Sequence, residues 1–222
     1  TAATVYPGGA VIDTTNAILT LNQSLVAPTG LGVGWISVYN PGAGYIAPPV
    51  VMITGGSGFG ATAVATVSLD QDSPAFGQLT GITVTSPGVG YKYDDALTVE
   101  LRGGGYTTLG QAGVALMTPN SAAGGLTKNG NGVLTLGGTN TYGGVTTINA
   151  GTLIAGHADS LPTNAAVKVA GGIYNLNGLA VTNGVITATG GMIVNGTLTG
   201  SSLSKEADGT LSALSLLKTT SP

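Results

Sequence analysis

Short alternations of apolar and polar residues recur along the chain, and none of them has the spacing of a helix. After residue 124 these strand-sized pieces include VLTL at 133–136, GTLIAG at 151–156 and IYNLN at 173–177, with glycine and asparagine between them. Pieces of this size, repeated about every 8 to 12 residues, are typical of an all-β fold. Short strands with sharp corners are what a β-solenoid needs, so we expect about five coils of about 20 residues between residues 124 and 200.

The region before residue 124 contains a duplicated motif. ISVYNPGAGY at 36–45 and ITVTSPGVGY at 82–91 are offset by 46 residues. We expect the strand in each copy to end at Pro-Gly, because proline presets the first turn angle and glycine supplies the positive φ that follows. The duplication predicts two tandem Gly/Tyr-rich β modules of about three strands each between residues 31 and 120. The residues assigned to turns and packing are Pro41, Gly42, Gly44 and Tyr45 in the first copy and Pro87, Gly88, Gly90 and Tyr91 in the second.

The segment from residue 1 to residue 30 fits neither repetitive region. Its alternating pieces, AVID and AILTLNQSLV, predict extended strands with an apolar face. One interpretation is a donor strand that completes the sheet of a neighbouring subunit, and the other is a segment that folds back and caps its own solenoid. We therefore predict three regions: this N-terminal extended segment, the tandem modules at 31–120, and a solenoid at 121–222 with a C-terminal cap or strand. The side chains assigned to assembly are Val11, Ile18, Leu19, Leu21 and Leu25.

The composition excludes several classes of protein. Charged residues make up only 7% of the chain, which has six basic residues and a net charge of −3. We expect no nucleic-acid partner, because phosphate binding needs clustered lysine and arginine. No apolar run reaches the roughly 18 to 20 residues of a membrane-spanning helix, so we expect no membrane insertion. The chain has no cysteine, which rules out a disulfide framework but not secretion. It begins at Thr1 without a charged leader, which favours an exported protein whose signal peptide has been removed.

Residues that could carry chemistry are few and scattered. His157, Asp159 and Ser160 are of the types found in a nucleophilic triad, but side chains this close together in one loop rarely form one. Paired carboxylates can bind calcium together with backbone carbonyls, although neither pair here lies in a recognised calcium-loop pattern. We predict no catalytic residue, no enzyme activity and no cofactor, and we keep calcium at either acidic pair as the alternative. The two pairs are Asp70 with Asp72 and Asp94 with Asp95.

Aromatic residues concentrate in the duplicated region. Aromatic side chains on a β surface can stack against sugar rings or anchor a partner protein, so surface carbohydrate is a candidate partner. Tyr45 and Tyr91 occupy equivalent places after Pro-Gly-x-Gly, which favours a packing role for these two. The aromatic residues of the region include Trp35, Tyr39, Tyr45, Tyr91, Tyr93 and Tyr106.

The stretch GGLTKNGNGVLTLGGTNTYGGVTTINAGTLIAG, residues 124–156, resembles the passenger-associated repeat of bacterial autotransporters. The four pieces of that repeat stand at 124–128, 134–136, 140–142 and 150–153, and a looser likeness continues to about residue 178. The resemblance implies a right-handed β-solenoid on an exported polypeptide, either extracellular or at the cell surface. Less specifically, the duplicated motif resembles Gly- and Tyr-rich β modules of bacterial surface and phage structural proteins.

Two classes of function agree with these observations, and a third is weighed against them. The first, which the sequence favours narrowly, is a non-enzymatic structural subunit of a surface fibre or filament, assembled as a homopolymer through β-strand pairing. The alternative is a passenger or stalk fragment of an autotransporter-like adhesin that displays a binding face. A third class is a secreted carbohydrate-active enzyme on a β-helix scaffold, but catalysis would need a cluster of acids that the sequence lacks.

Overall fold

The computed structural model describes residues 2–121, 123–205 and 208–216, with only the backbone of 211–216. The described residues form strands and turns without a helix, which confirms the all-β class. A helix long and apolar enough to cross a membrane is accordingly not found among them. The chain divides into two compact units: a solenoid unit, Thr1–Pro28 with Ser121–Pro222, and an inserted unit, Thr29–Asn120.

Nineteen strands occur in the described residues. The solenoid unit contains β1 to β4 and β11 to β19, and the inserted unit contains β5 to β10. The bounds are β1 Ala3–Thr4, β2 Ala10–Asp13, β3 Ile18–Leu21, β4 Leu25–Val26, β5 Leu31–Asn40, β6 Val50–Gly55, β7 Phe59–Val67, β8 Leu79–Val89, β9 Leu97–Arg102, β10 Gln111–Pro119, β11 Leu126–Asn129, β12 Val133–Leu136, β13 Thr146–Ile148, β14 Thr152–Ala155, β15 Val167–Val169, β16 Ile173–Asn175, β17 Ala180–Ala188, β18 Met192–Lys205 and β19 Thr210–Leu216.

Parallel pairing between equivalent strands of successive coils builds the solenoid unit. One ladder runs β2-β11-β13-β15-β17, and a second runs β3-β12-β14-β16-β18. In the first ladder Leu126 pairs with Thr146, Thr146 with Val167, and Val167 with Ile186, which are steps of 20, 21 and 19 residues. These parallel, stacked coils confirm the predicted β-solenoid.

Alternation along each strand places every second side chain inside the coil. Leu134, Leu153, Tyr174 and Ile193 are register partners in successive coils, and all four are fully buried. Equivalent residues stack at the spacing of hydrogen-bonded strands, about 4.8 Å, so this inward position generates a continuous apolar column. Each buried aliphatic side chain in such a column contributes about 1.5–3 kcal/mol relative to its exposed state.

The N-terminal segment forms the first described coil of the solenoid. β2 pairs with β11 and β3 pairs with β12, both in parallel, although 116 residues separate Ala10 from its partner Leu126. The predicted division, with residues 1–30 as a separate extended segment, therefore differs from the structure. Alternation in this segment indicates a strand with an apolar face, but it does not encode a partner so distant in sequence. The observed pairing within one chain is the arrangement of the fold-back interpretation.

The inserted unit contains two antiparallel sheets around one hydrophobic core. The four-stranded sheet has the order β8-β7-β6-β9, and the two-stranded sheet pairs β5 with β10. Both sheets contribute apolar side chains to the core, so neither is a separate domain. The buried core residues are Val33, Ile36, Tyr45, Ala65, Val67, Leu79, Ile82, Tyr91 and Leu101.

The two copies of the duplicated motif share their sheets instead of forming two separate modules. The first copy supplies β5, β6 and β7 and the second supplies β8, β9 and β10; β7 pairs with β8, β6 with β9, and β5 with β10. Equivalent contacts recur in both copies, since Tyr91 N donates to Leu31 O at 3.3 Å and Tyr45 N donates to Gly77 O at 3.0 Å. The inserted unit therefore has an approximate two-fold relation between its copies.

The Pro-Gly positions of the two copies differ in their strands but agree in their backbone angles. β5 ends at Asn40, immediately before Pro41, whereas β8 continues through Pro87, which pairs with Ala61. The prediction that each strand ends at Pro-Gly is thus wrong for the second copy. The reason is the partner: β7 extends alongside Pro87, while the pairing of β10 with β5 ends at Asn40. The glycines have positive φ in both copies, at 63° and 73° for Gly42 and Gly44 and at 70° and 78° for Gly88 and Gly90.

Candidate functional site

A groove of about 490 Å³ separates β5 from β8 in the inserted unit. The two strands are edges of different sheets, so no ladder joins them along the groove. Hydrogen bonds join them at both ends, from Leu79 N to Pro41 O at 2.9 Å and from Tyr91 N to Leu31 O at 3.3 Å. The groove is therefore a slot that is closed at each end by the protein's own backbone. Its lining consists of Gly34, Trp35, Ile36 and Val38 on one side and residues 80–84 on the other.

The two walls of the groove occupy equivalent positions of the duplicated motif, yet they differ in bulk. Ile36 and its counterpart Ile82 are both buried beneath the groove. Trp35 is 54% exposed, and 46 residues later its counterpart is Gly81. A Cβ at Gly81 would have no atom within 4 Å, so this side of the groove is open. An exposed indole thus lies on one wall, and free space lies on the other.

The groove is lined by uncharged residues. Thr80 and Thr83 are exposed on the β8 wall, and the Thr80 hydroxyl donates to Thr66 O at 3.3 Å. Outside the lining, Thr62 Oγ1 of β7 and Thr85 Oγ1 of β8 lie 2.8 Å apart. Because the lining contains no acid, base or thiol, it can bind a neutral molecule by stacking and hydrogen bonding but offers no group for acid–base or nucleophilic chemistry.

The other aromatic residues of the inserted unit divide into buried and exposed sets. Tyr45 and Tyr91 are buried in the core, and the Tyr45 hydroxyl accepts a hydrogen bond from Gly110 N at 2.9 Å. Tyr106 packs its ring against Tyr45 with centroids 5.7 Å apart. Tyr39 and Tyr93 are exposed. Neither of these two lies in the lining of the groove.

The five residues assigned to assembly do not form one face. Val11 and Ile18 are exposed on the outside of the coil, whereas Leu25 is buried. Leu19 and Leu21 occupy inward register positions opposite the buried Leu134 and Leu136. Leu21 is half-buried, but Leu19 is 42% exposed because β3 is the last strand on its side of the sheet.

The acidic pairs stabilise turns of the inserted unit. The Asp95 carboxylate accepts hydrogen bonds from Ser57 N at 3.0 Å, Ser57 Oγ at 2.8 Å and Lys92 N at 2.8 Å. The backbone bonds from Ser57 and then Lys92 lower the pKa of Asp95 below its usual value. Asp70 Oδ1 accepts a hydrogen bond from the backbone N–H of Asp72 at 3.1 Å. Within the described residues, no three His, Cys, Asp or Glu side chains are grouped closely enough to hold a metal ion.

His157, Asp159 and Ser160 lie at one corner of the solenoid without the geometry of a triad. His157 Nδ1 accepts a hydrogen bond from Asp159 N at 3.1 Å and lies 3.6 Å from Asp159 Oδ2. Ser160 is buried, and its hydroxyl has no hydrogen-bond partner among the described residues. Since His157 and Asp159 are exposed while the Ser160 hydroxyl is buried, the corner presents no accessible nucleophile with a neighbouring base.

A buried cation that the sequence reasoning did not single out lies inside the repeat. Lys128 is completely buried, and its Nζ donates to Asn129 O at 2.8 Å, Gly130 O at 2.7 Å and Ala150 O at 3.1 Å. Burial lowers the pKa of Lys128, and the charge of Asp13 partly opposes this shift. The ammonium group thereby joins two successive coils. The signal was present in the alternation, because Lys128 has the same inward parity as the buried Leu126.

The Asn-Thr-Tyr turn of the repeat also connects successive coils. Asn140 Oδ1 accepts from Leu25 N at 2.6 Å, and its Nδ2 donates to Ser160 O at 2.6 Å, so one buried amide bridges the coils before and after it. Tyr142 is buried, with its hydroxyl 2.6 Å from Thr146 Oγ1. Asn140 therefore holds successive coils together, whereas the hydrogen bond of Tyr142 stabilises its own turn.

The parallel coils and the internal contacts of residues 126–155 define a β-solenoid whose coils are joined by buried polar side chains. The family model of the passenger-associated-transport-repeat matches these same residues, 126–155. The match spans β11 to β14, which are two consecutive coils, and it confirms the resemblance stated from the sequence. A repeat of this family implies a secreted or cell-surface protein. No curated protein and no solved structure matches the chain significantly.

Proposed function

We propose that this chain is a passenger segment of an autotransporter-like surface protein, in which the solenoid is the scaffold and the inserted unit carries the binding surface. The observation that supports this most directly is the matched repeat, whose two coils continue into stacked coils on both sides. The match favours the passenger interpretation over the filament subunit that the sequence favoured narrowly.

The inserted unit is the better candidate for binding. It leaves the solenoid after Pro28 and has a hydrophobic core of its own, so its surface can change without altering the coils. Exposed Trp35, Tyr39 and Tyr93 all belong to it. Large aromatic side chains that remain exposed on a folded surface are typical anchors for a partner.

Antibody labelling of intact cells tests the location on which this proposal depends. Antibodies raised against the purified chain should label unpermeabilised cells of the source organism, and brief external protease treatment should remove the label. A cytoplasmic protein labelled in parallel controls for lysis. Label that appears only after permeabilisation would contradict a surface passenger.

We further propose that the protein is not an enzyme. The corner at His157 and the uncharged groove both lack an accessible nucleophile with a base. Purified chain should hydrolyse a panel of nitrophenyl esters and glycosides no faster than buffer, and His157→Ala should be indistinguishable from the original chain. Turnover that is lost in His157→Ala would show that the corner is catalytic.

Head-to-tail assembly is a second candidate function, and one observation favours it. Leu19 has inward register opposite the fully buried Leu134, yet it is 42% exposed at the edge of the sheet. A second copy stacked on β2 and β3 would cover this side chain. Sedimentation should then reveal concentration-dependent assembly that Leu19→Lys abolishes while Val11→Lys, on the outer face, does not. A single monomeric species at all concentrations would exclude this function.

A further inference from the structure

We propose that the groove between β5 and β8 binds a short neutral oligosaccharide, with Trp35 as the stacking platform. The inference rests on the proposed function only in taking the inserted unit as the part that binds. It specifies the class of ligand and the residues that select it.

The indole of Trp35 is the first argument. Trp35 pairs across the two-stranded sheet with Leu116, which is itself 50% exposed, so the ring lies on an apolar strip beside the groove. Leaving a large aromatic surface in water is unfavourable, and a flat partner with apolar C–H faces removes that surface from water while its hydroxyls stay hydrated. A sugar ring has this combination of an apolar face and a polar edge.

The absence of charge in the lining is the second argument. Lys, Arg, Asp and Glu are missing from the residues that line the groove, so an anionic or cationic ligand would leave water without gaining a charged partner. The exposed hydroxyls of Thr80 and Thr83 can each donate and accept hydrogen bonds. Hydroxyl-rich neutral ligands match this surface.

The closed ends of the groove favour a compact ligand over an added β-strand. Strand addition would need β5 or β8 to offer an uninterrupted edge, but both strands are already bonded to each other at Leu31 with Tyr91 and at Pro41 with Leu79. The lined stretch of β5, residues 34–38, is about 13 Å long. A polypeptide could not continue past either end, whereas a few sugar rings can lie between them.

The difference between the two copies supplies the room for the ligand. Gly81 occupies the two-fold counterpart of Trp35, and no atom lies within 4 Å of the position of its absent Cβ. A bulky residue at both positions would fill the groove from both sides. With glycine on one side, a sugar ring can rest on the indole and extend over the β8 wall.

Trp35 is the only tryptophan of the chain, so its fluorescence reports on this groove alone. The complete 222-residue chain is titrated with cellotriose, maltotriose, chitotriose and, as an acidic comparison, trigalacturonate. We expect a saturable change in emission with at least one neutral trisaccharide and none with the acidic one. No saturable change with any neutral sugar up to about 10 mM, or a preference for the acidic sugar, would overturn the proposal.

Substitutions at two positions, Gly81 and Trp35, test the roles of the two walls, with binding measured by calorimetry. Gly81→Leu should weaken binding at least about tenfold by filling the groove, and Trp35→Ala should do the same by removing the platform, whereas Trp35→Phe should retain part of the affinity. Gly8→Leu is the matched control, because a Cβ at Gly8 also meets no atom within 4 Å but lies in the solenoid unit. Circular dichroism verifies that each variant is folded. Unchanged affinity in Gly81→Leu or Trp35→Ala would overturn the assignment.

An extended peptide that copies residues 111–119 is the probe for strand addition. If this peptide changes the Trp35 emission saturably and the sugars do not, the groove binds protein and the carbohydrate assignment is wrong. Labelling of intact cells is independent of all these titrations. Positive surface labelling together with failed sugar binding would therefore leave the passenger function standing and remove only the ligand.

Discussion

Two buried tyrosines of the solenoid differ in whether their hydroxyl group is hydrogen-bonded, and the difference predicts opposite effects on stability. The Tyr142 hydroxyl lies 2.6 Å from Thr146 Oγ1, whereas the Tyr174 hydroxyl has no hydrogen-bond partner among the described residues. We expect Tyr142→Phe to lower the free energy of unfolding by about 1 kcal/mol, because it leaves the buried Thr146 hydroxyl unpaired. Tyr174→Phe should leave the free energy of unfolding unchanged or raise it. Urea unfolding of both variants makes the comparison, and equal losses would contradict it.

The same two tyrosines predict how stability responds to alkaline pH. Burial raises the pKa of both phenols, and the hydrogen bond to Thr146 partly offsets the shift for Tyr142. Unfolded tyrosine titrates near pH 10. The contribution of the two buried phenols to the free energy of unfolding is therefore fully present below that pH and is lost as the pH rises above it. Above about pH 10, each of the two tyrosines should lower the free energy of unfolding by up to about 1.4 kcal/mol per pH unit.

The alkaline prediction is tested by urea unfolding of the original chain and the double variant with both tyrosines replaced by phenylalanine, at pH values from about 9 to about 12. The double variant should lose stability less steeply. Identical slopes would mean that these phenols do not titrate differently in the folded and unfolded states.

At the scale of elements, the first coil should be a structural part of the solenoid. Deleting residues 2–26 removes β1 to β4 and uncovers Leu126, Leu134 and Leu136, which are fully buried. Each uncovered leucine should cost about 1.5–3 kcal/mol, so the midpoint of urea unfolding should fall sharply. Val11→Ala, on the outer side of β2, is the control and should change stability by less than about 0.5 kcal/mol.

The donor-strand interpretation expects a different result from the same deletion. The truncated chain would remain fully stable and would capture an added peptide of residues 1–26 from solution. Unchanged stability together with peptide capture would therefore favour strand exchange between subunits over the fold-back arrangement.

The sequence predicted strands and their period but not their distant partners. Alternation and glycine-rich corners located the coils after residue 124, because stacking at a fixed repeat leaves a local pattern. The partner of β2 lies 116 residues away at β11. The two duplicated copies pair their strands with each other within shared sheets. Both features depend on long-range pairing, for which a short alternating segment carries no signal.

The sequence indicated only one wall of the candidate site, because the other wall also depends on long-range pairing. Trp35 stood out as an aromatic residue on a strand, but Gly81 was one glycine among 39. Gly81 can be assigned to the groove only once the two-fold relation places β8 next to β5. Lys128 was overlooked because lysine is usually exposed, and three backbone carbonyls compensate its burial here.

For the molecule as a whole, the inserted unit should be removable without loss of the solenoid. Its two ends meet, since Asn120 N donates to Gly30 O at 2.9 Å. Replacing residues 29–120 with a linker of about four glycine and serine residues should therefore preserve the parallel coils and change their stability by less than about 1 kcal/mol. Circular dichroism and urea unfolding measure the result. As a control, the same linker is placed within β13, where it should prevent folding. If the protein without residues 29–120 also fails to fold, the coils depend on the inserted unit.

The meeting of Gly30 with Asn120 also affects the order of folding. Before the inserted unit folds, the first coil is separated from the second by a loop of at least the 92 residues from Thr29 to Asn120. Once it has folded, the flexible connection shrinks to a few residues, which lowers the entropic cost of closing the loop by about 3 kcal/mol. The later coils pair across only 19 to 21 residues and need no such help. The coil nearest the N-terminus should therefore be the last to join the stack, after the inserted unit has closed the loop.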